Sequence, residues 1–321
     1  MNGLSVFVVA WIGLIAVVGW VASTPDARVP RRTLAAFAGL IVAASTRDLL
    51  WVYLGFETVS LVTLQLGARS MLGSIASLAG VALIAVSGAT TDLAGLEPTT
   101  GVKIGAVLLV SGILSRWLQT SAVDRFIFLG AGVTLIAVFM RLTAWSPTLA
   151  GTLAPLTGVA AMAAVAVGSL GAAFSATKSA LVDWLTIATV ALAVTALAGG
   201  APVLPHVLLH VAASTVALAL VLSGGSALAS WLSLLSLASF PPLPGFTTKL
   251  GLLASLSPVT LALALAGMFF IGIGCARTLV RVEPEPGKLW VSAAVVAMTI
   301  AFGLFPGPLL ALATRAAATL F

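Results

Sequence analysis

The chain has 321 residues, of which 60% are apolar and 7% are charged, and its net charge is +6 at neutral pH. Because a soluble domain carries about a quarter charged residues, this composition excludes an ordinary soluble enzyme, a nucleic-acid-binding domain and a disordered chain. The apolar runs are continuous and do not alternate with polar residues, so they predict an all-α polytopic membrane bundle in contact with lipid.

Twelve membrane spans are predicted from apolar stretches that average about 20 residues. They cover residues 3–22, 33–47, 48–67, 71–90, 102–119, 126–145, 148–173, 180–199, 203–223, 226–255, 258–281 and 289–309. Every predicted connection is short, which predicts a single membrane domain over residues 1–321. The tenth stretch has three prolines and a glycine in residues 240–245, so we expect its helix to break there.

Basic residues are concentrated in alternate loops of this predicted topology. Eight Lys and Arg residues lie in loops after odd-numbered spans, and two lie in loops after even-numbered spans. The positive-inside rule therefore places the odd loops in the cytoplasm or matrix and both termini on the opposite side.

Ionisable residues inside the apolar runs are the candidate functional residues, because burying such a charge at a helix centre costs roughly 2.5–3.5 kcal/mol. Glu57 lies about half-way along the third span, and its side chain is too short to reach the membrane interface. We expect its carboxylate to face the bundle interior or an adjoining subunit. Its basic partner is expected to be Lys103, Arg116 or a residue of a neighbouring subunit.

Three further basic residues lie within or near the ends of apolar runs. Arg116 and Arg141 are near the ends of their spans, so two interpretations stay open: a guanidinium that reaches the interface on its long stem, or a functional charge. Lys249 follows the predicted break in the tenth span. Broken helices at membrane depth occur where they line an enclosed polar cavity, so Lys249 is predicted to be functional.

His206 and His210 are four residues apart and share one face of the ninth span. This spacing suits a metal or a haem, but no second histidine pair or carboxylate motif accompanies it, so no metal site is predicted. His206 is expected at the interface, and His210, one turn deeper, could join a proton relay. The single cysteine, Cys275, excludes a disulfide framework, a thiolate zinc site and an iron–sulfur cluster.

Two segments of the sequence resemble one known family. Residues 47–57, Arg-Asp-Leu-Leu-Trp-Val-Tyr-Leu-Gly-Phe-Glu, resemble the helix that carries the key glutamate in the antiporter-like subunits of respiratory complex I. Residues 236–249 contain Pro-Pro-Leu-Pro-Gly-Phe with Lys249 three residues later, and they resemble the broken helix of that family. A lysine at this place in a short chain is most similar to the subunit 2 type.

Two weaker matches lie between these segments. Residues 139–143, Phe-Met-Arg-Leu-Thr, are similar to the family segment with a central lysine, so Arg141 would replace that lysine. Residues 168–172, followed by Lys178, resemble the Gly-Ser-x-Gly turn and basic stretch of the family.

The resemblance implies a proton-translocating subunit that contacts neighbouring antiporter-like subunits of the complex I membrane arm. Its relay would use Glu57, Arg141, Lys249, His210 and water, and the chain would hold no NADH, flavin, iron–sulfur cluster, quinone or metal. Because an arginine stays protonated, Arg141 would set the field and hold water without carrying the proton. Lys249 would be the main exchangeable base.

The sequence departs from the family pattern at two places. The full-length form has fourteen spans with the glutamate on the fifth, whereas Glu57 is on the third, so about two N-terminal helices are expected to be missing. The family pairs the glutamate with a lysine two spans later, and here Leu108 or Ser111 falls near that position. The short start favours the mitochondrial inner membrane, with a bacterial cytoplasmic membrane as the alternative.

Two other functions stay open at this point. An independent cation/proton antiporter could use the same Glu57, Lys249 and broken helix. A structural complex I subunit that has lost pumping would fit Arg141 and the absent central lysine.

Overall fold

The computed structural model describes residues 3–22, 28–63, 68–121, 124–223, 227–281, 293, 296–297 and 303–319. The all-α fold class is confirmed, because the long elements in these ranges are all α-helices. They are α1 (Gly3–Ala22), α2 (Arg28–Ser45), α3 (Leu49–Val62), α4 (Ala68–Gly88), α5 (Thr100–Thr120), α6 (Arg125–Trp145), α7 (Pro147–Phe174), α8 (Lys178–Ala196), α9 (Leu204–Ser223), α10 (Ala227–Leu237), α11 (Pro244–Leu253), α12 (Pro258–Leu279) and α13 (Pro306–Ala318).

The described helices have the lengths and compositions of a polytopic membrane protein. Seven of them are long and apolar enough to cross a membrane, namely α4, α5, α6, α7, α8, α9 and α12. α1, α2, α3 and α10 are apolar over shorter described stretches. Most of the predicted twelfth span, residues 289–309, lies outside the described residues, so the number of spans stays a prediction.

The helix α13 was not predicted, because the sequence interpretation ended its last span at residue 309. Residues 306–318 are rich in Ala and Leu, which favour helix, and Pro306 occupies the first helical position, where a proline is tolerated. The segment has only 13 residues and contains Arg315, so it is too short for the spanning-helix pattern.

Contacts divide the chain into two compact units. Unit 1 consists of Met1–Pro155 and Thr319–Phe321, and unit 2 consists of Leu156–Ala318. The expectation of a single membrane domain stays a prediction.

In unit 1, helices α4 and α5 approach each other closely along a line of small residues. A Cβ added to Gly80 would collide with the backbone of Gly105 and Leu109, and a Cβ added to Gly112 would collide with the backbone of Gly73. Small residues let membrane helices approach to backbone contact in this way. This contact holds α5 at a short distance from α4 and at one position along it.

In unit 2, helix α9 packs against α8, α10, α11 and α13. The predicted break is confirmed, because α10 ends at Leu237, α11 begins at Pro244, and the residues between them form turns. Leu243, Pro244 and Gly245 are buried, as expected for a break inside the bundle. Phe240, Pro241 and Pro242 are exposed on this chain, so the first half of the break lies at its surface and differs from that expectation.

Gly245 allows the two half-helices to touch. Its backbone N–H donates to Ser236 Oγ at 3.0 Å, and a Cβ at this position would overlap the Ser236 carbonyl. Gly245→Ala is therefore expected to destabilise the purified protein by roughly 1–3 kcal/mol, the usual cost of overpacking. The matched control is Gly272→Ala, because nothing lies within 4 Å of a Cβ there. Equal thermal stabilities of the two variants would show that the contact is unimportant.

Candidate functional site

Glu57 and Arg116 form an ion pair with two parallel hydrogen bonds in unit 1. Arg116 Nη1 donates to Glu57 Oε1 at 2.7 Å, and Nη2 donates to Oε2 at 2.6 Å. The Arg116 side chain is 1% exposed and that of Glu57 is 18% exposed. The partner of Glu57 is thus Arg116 rather than Lys103, and Arg116 does not extend to the membrane interface.

Other residues complete the surroundings of this pair. Ser74 Oγ donates to Glu57 Oε2 at 3.4 Å, and Tyr53, one turn earlier on α3, contacts the same carboxylate. Gly73 leaves the space that the Arg116 side chain fills. These contacts and the two bonds from Arg116 hold the carboxylate in place.

Arg141 is fully buried in unit 1 and contacts a different set of residues. Its Nη1 donates to the Thr46 carbonyl at 2.8 Å, and its Nη2 donates to Ser5 Oγ at 2.8 Å. Its guanidinium carbon lies 5.5 Å from the centre of the Trp145 ring. The interpretation of Arg141 as an interface anchor is therefore wrong, because the side chain is 0% exposed.

Lys249 is buried in unit 2, at the helix break. Its Nζ donates to the Leu237 carbonyl at 2.6 Å and to Ser239 Oγ at 2.8 Å. The break supplies both acceptors. The helical partner of the Leu237 carbonyl would be the N–H of residue 241, which is a proline and has none. Ser239 has a left-handed backbone conformation with a φ of 65°, which turns its chain out of the helix.

These two contacts suit both protonation states of Lys249. A charged ammonium has three N–H donors, so one remains after the contacts to Leu237 and Ser239. A neutral amine has two N–H donors, which the same acceptors satisfy, and a lone pair in place of the third. The lysine can therefore exchange a proton at its third position while its other two contacts stay in place.

A small cavity lies beside Lys249, within unit 2. Its volume is ≈ 10 Å³, about the space that one water molecule needs. Its lining is mostly apolar and consists of Val165, Leu185, Ala188, Thr189, Leu192, His210, Leu237, Lys249, Ala264, Met268 and Ile271. His210 and Lys249 are thus brought to one cavity.

His210 has one ring nitrogen without a hydrogen-bond partner. Its Nδ1 lies 3.4 Å from Ser214 Oγ, while its Nε2 is buried and unpaired among the described residues. The Thr189 backbone acts on the ring as a weak hydrogen-bonding group. Buried polar atoms that are incompletely bonded are commonly satisfied by ordered water. The cavity, which His210 and Lys249 both line, has room for one such water.

His206 and Cys275, which the sequence interpretation also named, are not part of the lining of this cavity. His206 is half-buried, and its ring fills the space above Gly251 on α11. Cys275 is fully buried on α12, within electrostatic range of Lys249. Among the described residues there is no group of three side chains suited to a metal ion.

Sequence reasoning missed Leu237 and Ser239 as partners of Lys249. The signal for Leu237 was present, since a proline four residues later frees a helix carbonyl. Nothing in the sequence indicated the left-handed conformation of Ser239.

The comparison with curated proteins gives one relative over nearly the whole chain. NADH-quinone oxidoreductase subunit N of Heliobacterium modesticaldum is 26% identical, in an alignment that covers 98% of this chain and 83% of that protein. No model of a known protein family matches the chain.

Solved structures share the fold. A chain of the Mrp complex from Dietzia sp. DQ12-45-1b superposes with a TM-score of 0.83 at 17% identity, over 100% of this chain and 84% of that one. A chain of respiratory complex I from Thermus thermophilus superposes with a TM-score of 0.76 at 24% identity, over 98% and 87%. The similarity to subunit N confirms the resemblance that the two sequence motifs indicated, and the solved structures show that the fold is shared.

Proposed function

We propose that this chain is a proton-translocating membrane-arm subunit of a complex I-type NADH:quinone oxidoreductase, with Lys249 as its exchangeable base. The observation that carries the proposal is a buried lysine at a helix break, next to a water-sized cavity that it shares with His210. The similarity to subunit N over 98% of the chain supports the same assignment.

In this proposal the proton moves between His210 and Lys249 through a water in the cavity. The imidazole has an unpaired Nε2, and the lysine has a third position that its fixed contacts do not use. Two basic groups beside one small cavity repel each other when both are protonated, so the proton resides on one of them at a time. A change in the local field therefore transfers the proton from one group to the other.

The Glu57–Arg116 pair supplies a separate charged centre, in unit 1. Arginine does not release its proton, so Arg116 and Arg141 act as fixed charges. Glu57 takes part by opening and closing its ion pair. Arg116 thus takes the pairing role that the resemblance gives to a lysine two spans after the glutamate.

The proposal also covers partners, cofactors and location. The chain would assemble with other membrane-arm subunits, including antiporter-like ones, and NADH oxidation would take place elsewhere in the assembly. The chain itself would hold no NADH, flavin, iron–sulfur cluster or quinone. The bacterial relative favours a bacterial cytoplasmic membrane over the mitochondrial inner membrane.

The two alternative functions receive less support. The fold shared with a chain of the Mrp complex does not separate an independent antiporter from a complex I subunit, because a chain of complex I shares that fold too. The curated relative favours the complex I assignment. A purely structural subunit would have no use for the buried lysine and histidine beside one cavity.

Purification of the tagged chain from its native membranes in a mild detergent tests the assignment. We expect it to migrate at the mass of a large complex and to carry soluble NADH-oxidising subunits, identified by mass spectrometry. A tagged membrane protein of similar size is the control for nonspecific association. Recovery of the chain alone, or with membrane proteins only, would overturn the assignment to complex I.

A further inference from the structure

Arg141 holds the end of one helix to another helix. Thr46 is the first residue after α2, and its carbonyl accepts from Arg141 Nη1 at 2.8 Å. The other arm of the guanidinium reaches Ser5 on α1 at 2.8 Å. Among the described residues Arg141 has no acidic partner, although burying an unpaired charge is costly. Its two hydrogen bonds therefore go to uncharged groups, one directly after α2 and one on α1.

The turn that Arg141 holds leads directly into α3. Asp48 donates its backbone N–H to Thr46 Oγ at 3.0 Å, and its carboxylate caps α3 by accepting from the Leu50 N–H at 2.8 Å. Asp48 therefore fixes where α3 begins. Glu57 follows on the same helix, about two and a half turns further on.

The same turn is joined to the segment that leads into α5. Leu49 N–H donates to the Thr91 carbonyl at 2.9 Å, and Leu93 N–H donates to the Arg47 carbonyl at 3.0 Å. Residues 46–49 and 91–93 thus form one junction, in which α3 begins at Leu49 and from which the chain runs on to the start of α5 at Thr100. The Glu57–Arg116 pair joins these two helices further along.

We infer that Arg141 is a positioning residue, which sets the register of Glu57 against Arg116 through the junction of residues 46–49 and 91–93. Two acceptors on separate parts of the chain suit an arginine. A guanidinium reaches Thr46 and Ser5 with two separate nitrogens, whereas a lysine would have to reach both from a single nitrogen. The inference rests on the proposed function only where it concerns proton transfer. The position of Glu57 against Arg116 can be measured whether or not the chain moves protons.

Labelling of Glu57 by a hydrophobic carbodiimide in the assembled complex measures this register. Only the protonated carboxyl adds to the reagent, so a carboxylate held by two guanidinium hydrogen bonds reacts slowly. Mass spectrometry of the labelled peptide gives the rate, and Glu57→Gln identifies the labelled site. The variants are Arg141→Met, Arg141→Lys and Ser5→Ala. Arg277→Met is the matched control, since Arg277 donates to a helix-end carbonyl, that of Ala173 at 2.7 Å, in unit 2.

We expect Arg141→Met to label roughly three- to tenfold faster than the wild type. The shifted register should weaken one of the two Arg116–Glu57 hydrogen bonds, and the loss of one hydrogen bond changes an equilibrium by about this factor. Arg141→Lys should fall between Arg141→Met and the wild type, Ser5→Ala should give a smaller increase, and Arg277→Met should label at the wild-type rate. Wild-type labelling in both Arg141 variants would overturn the inference.

If Arg141→Met does not assemble, Arg141→Lys decides, because it keeps a buried cation of similar length. A merely structural role would lower the amount of complex without changing the labelling rate of the assembled fraction. If the wild-type complex moves no protons, the proposed function fails while the labelling result stands, so the two failures are distinguishable.

Discussion

Replacing Arg116 by glutamine is expected to cost roughly 3–5 kcal/mol of stability, because removing one partner of a buried ion pair leaves the other charge uncompensated. Arg116 is 1% exposed, and both of its terminal nitrogens donate to Glu57. Glutamine keeps a donor but cannot balance the carboxylate. Thermal unfolding of the purified assembly and the amount of the chain in membranes measure the effect.

Arg47→Gln is the matched control for this variant, because the junction bond of Arg47 is made by its backbone carbonyl, which the substitution leaves in place. Arg47 pairs with Asp92 at 2.9 Å, but the Arg47 side chain is 64% exposed, and such pairs contribute about 1 kcal/mol or less. The double variant Glu57→Gln with Arg116→Gln should recover much of the lost stability, because neither charge then remains alone. Equal stabilities of Arg116→Gln and Arg47→Gln would contradict the description of a buried pair.

Replacing Lys249 by methionine is expected to have the largest effect on activity. Methionine keeps most of the stem, so the complex should assemble, but it has no proton to exchange. NADH:quinone turnover should fall about tenfold or more, since a positioned proton-transfer group contributes roughly 10²–10⁴-fold to the step that it serves. Lys249→Arg should be nearly as harmful, because a guanidinium can donate to Leu237 and Ser239 but stays protonated.

Lys103→Met is the control for the Lys249 variants. Lys103 is a half-buried lysine in the first turn of α5, so its loss should leave turnover close to the wild-type rate. Retention of full turnover by both Lys249 variants would show that this chain is a scaffold and that the buried lysine carries no proton.

The break and the place of Lys249 could be predicted because they follow from local chemistry. Three prolines within residues 241–244 remove backbone donors wherever the helix lies in the fold. Glu57 could be identified for a similar reason, since a carboxylate in the middle of an apolar run is visible in the sequence and is costly unless it is paired.

The sequence offered Arg116 as one of three possible partners of Glu57, but the choice among them and the partners of Arg141 depend on the packing of distant segments. Arg116 lies 59 residues from Glu57, and Arg141 lies 95 residues from Thr46 and 136 from Ser5. The apolar pattern of a membrane helix does not show which face meets which neighbour. The cavity between Lys249 and His210 also depends on that packing.

The ratio of protons moved to electrons transferred, measured in sealed membrane vesicles that oxidise NADH, tests the central claim most directly. Vesicles with the wild-type chain and with Lys103→Met should move the same number of protons per electron pair. Vesicles with Lys249→Met should move fewer protons per electron pair in whatever electron transfer remains, because Lys249 lies on the proton route. An unchanged ratio in Lys249→Met would contradict the account.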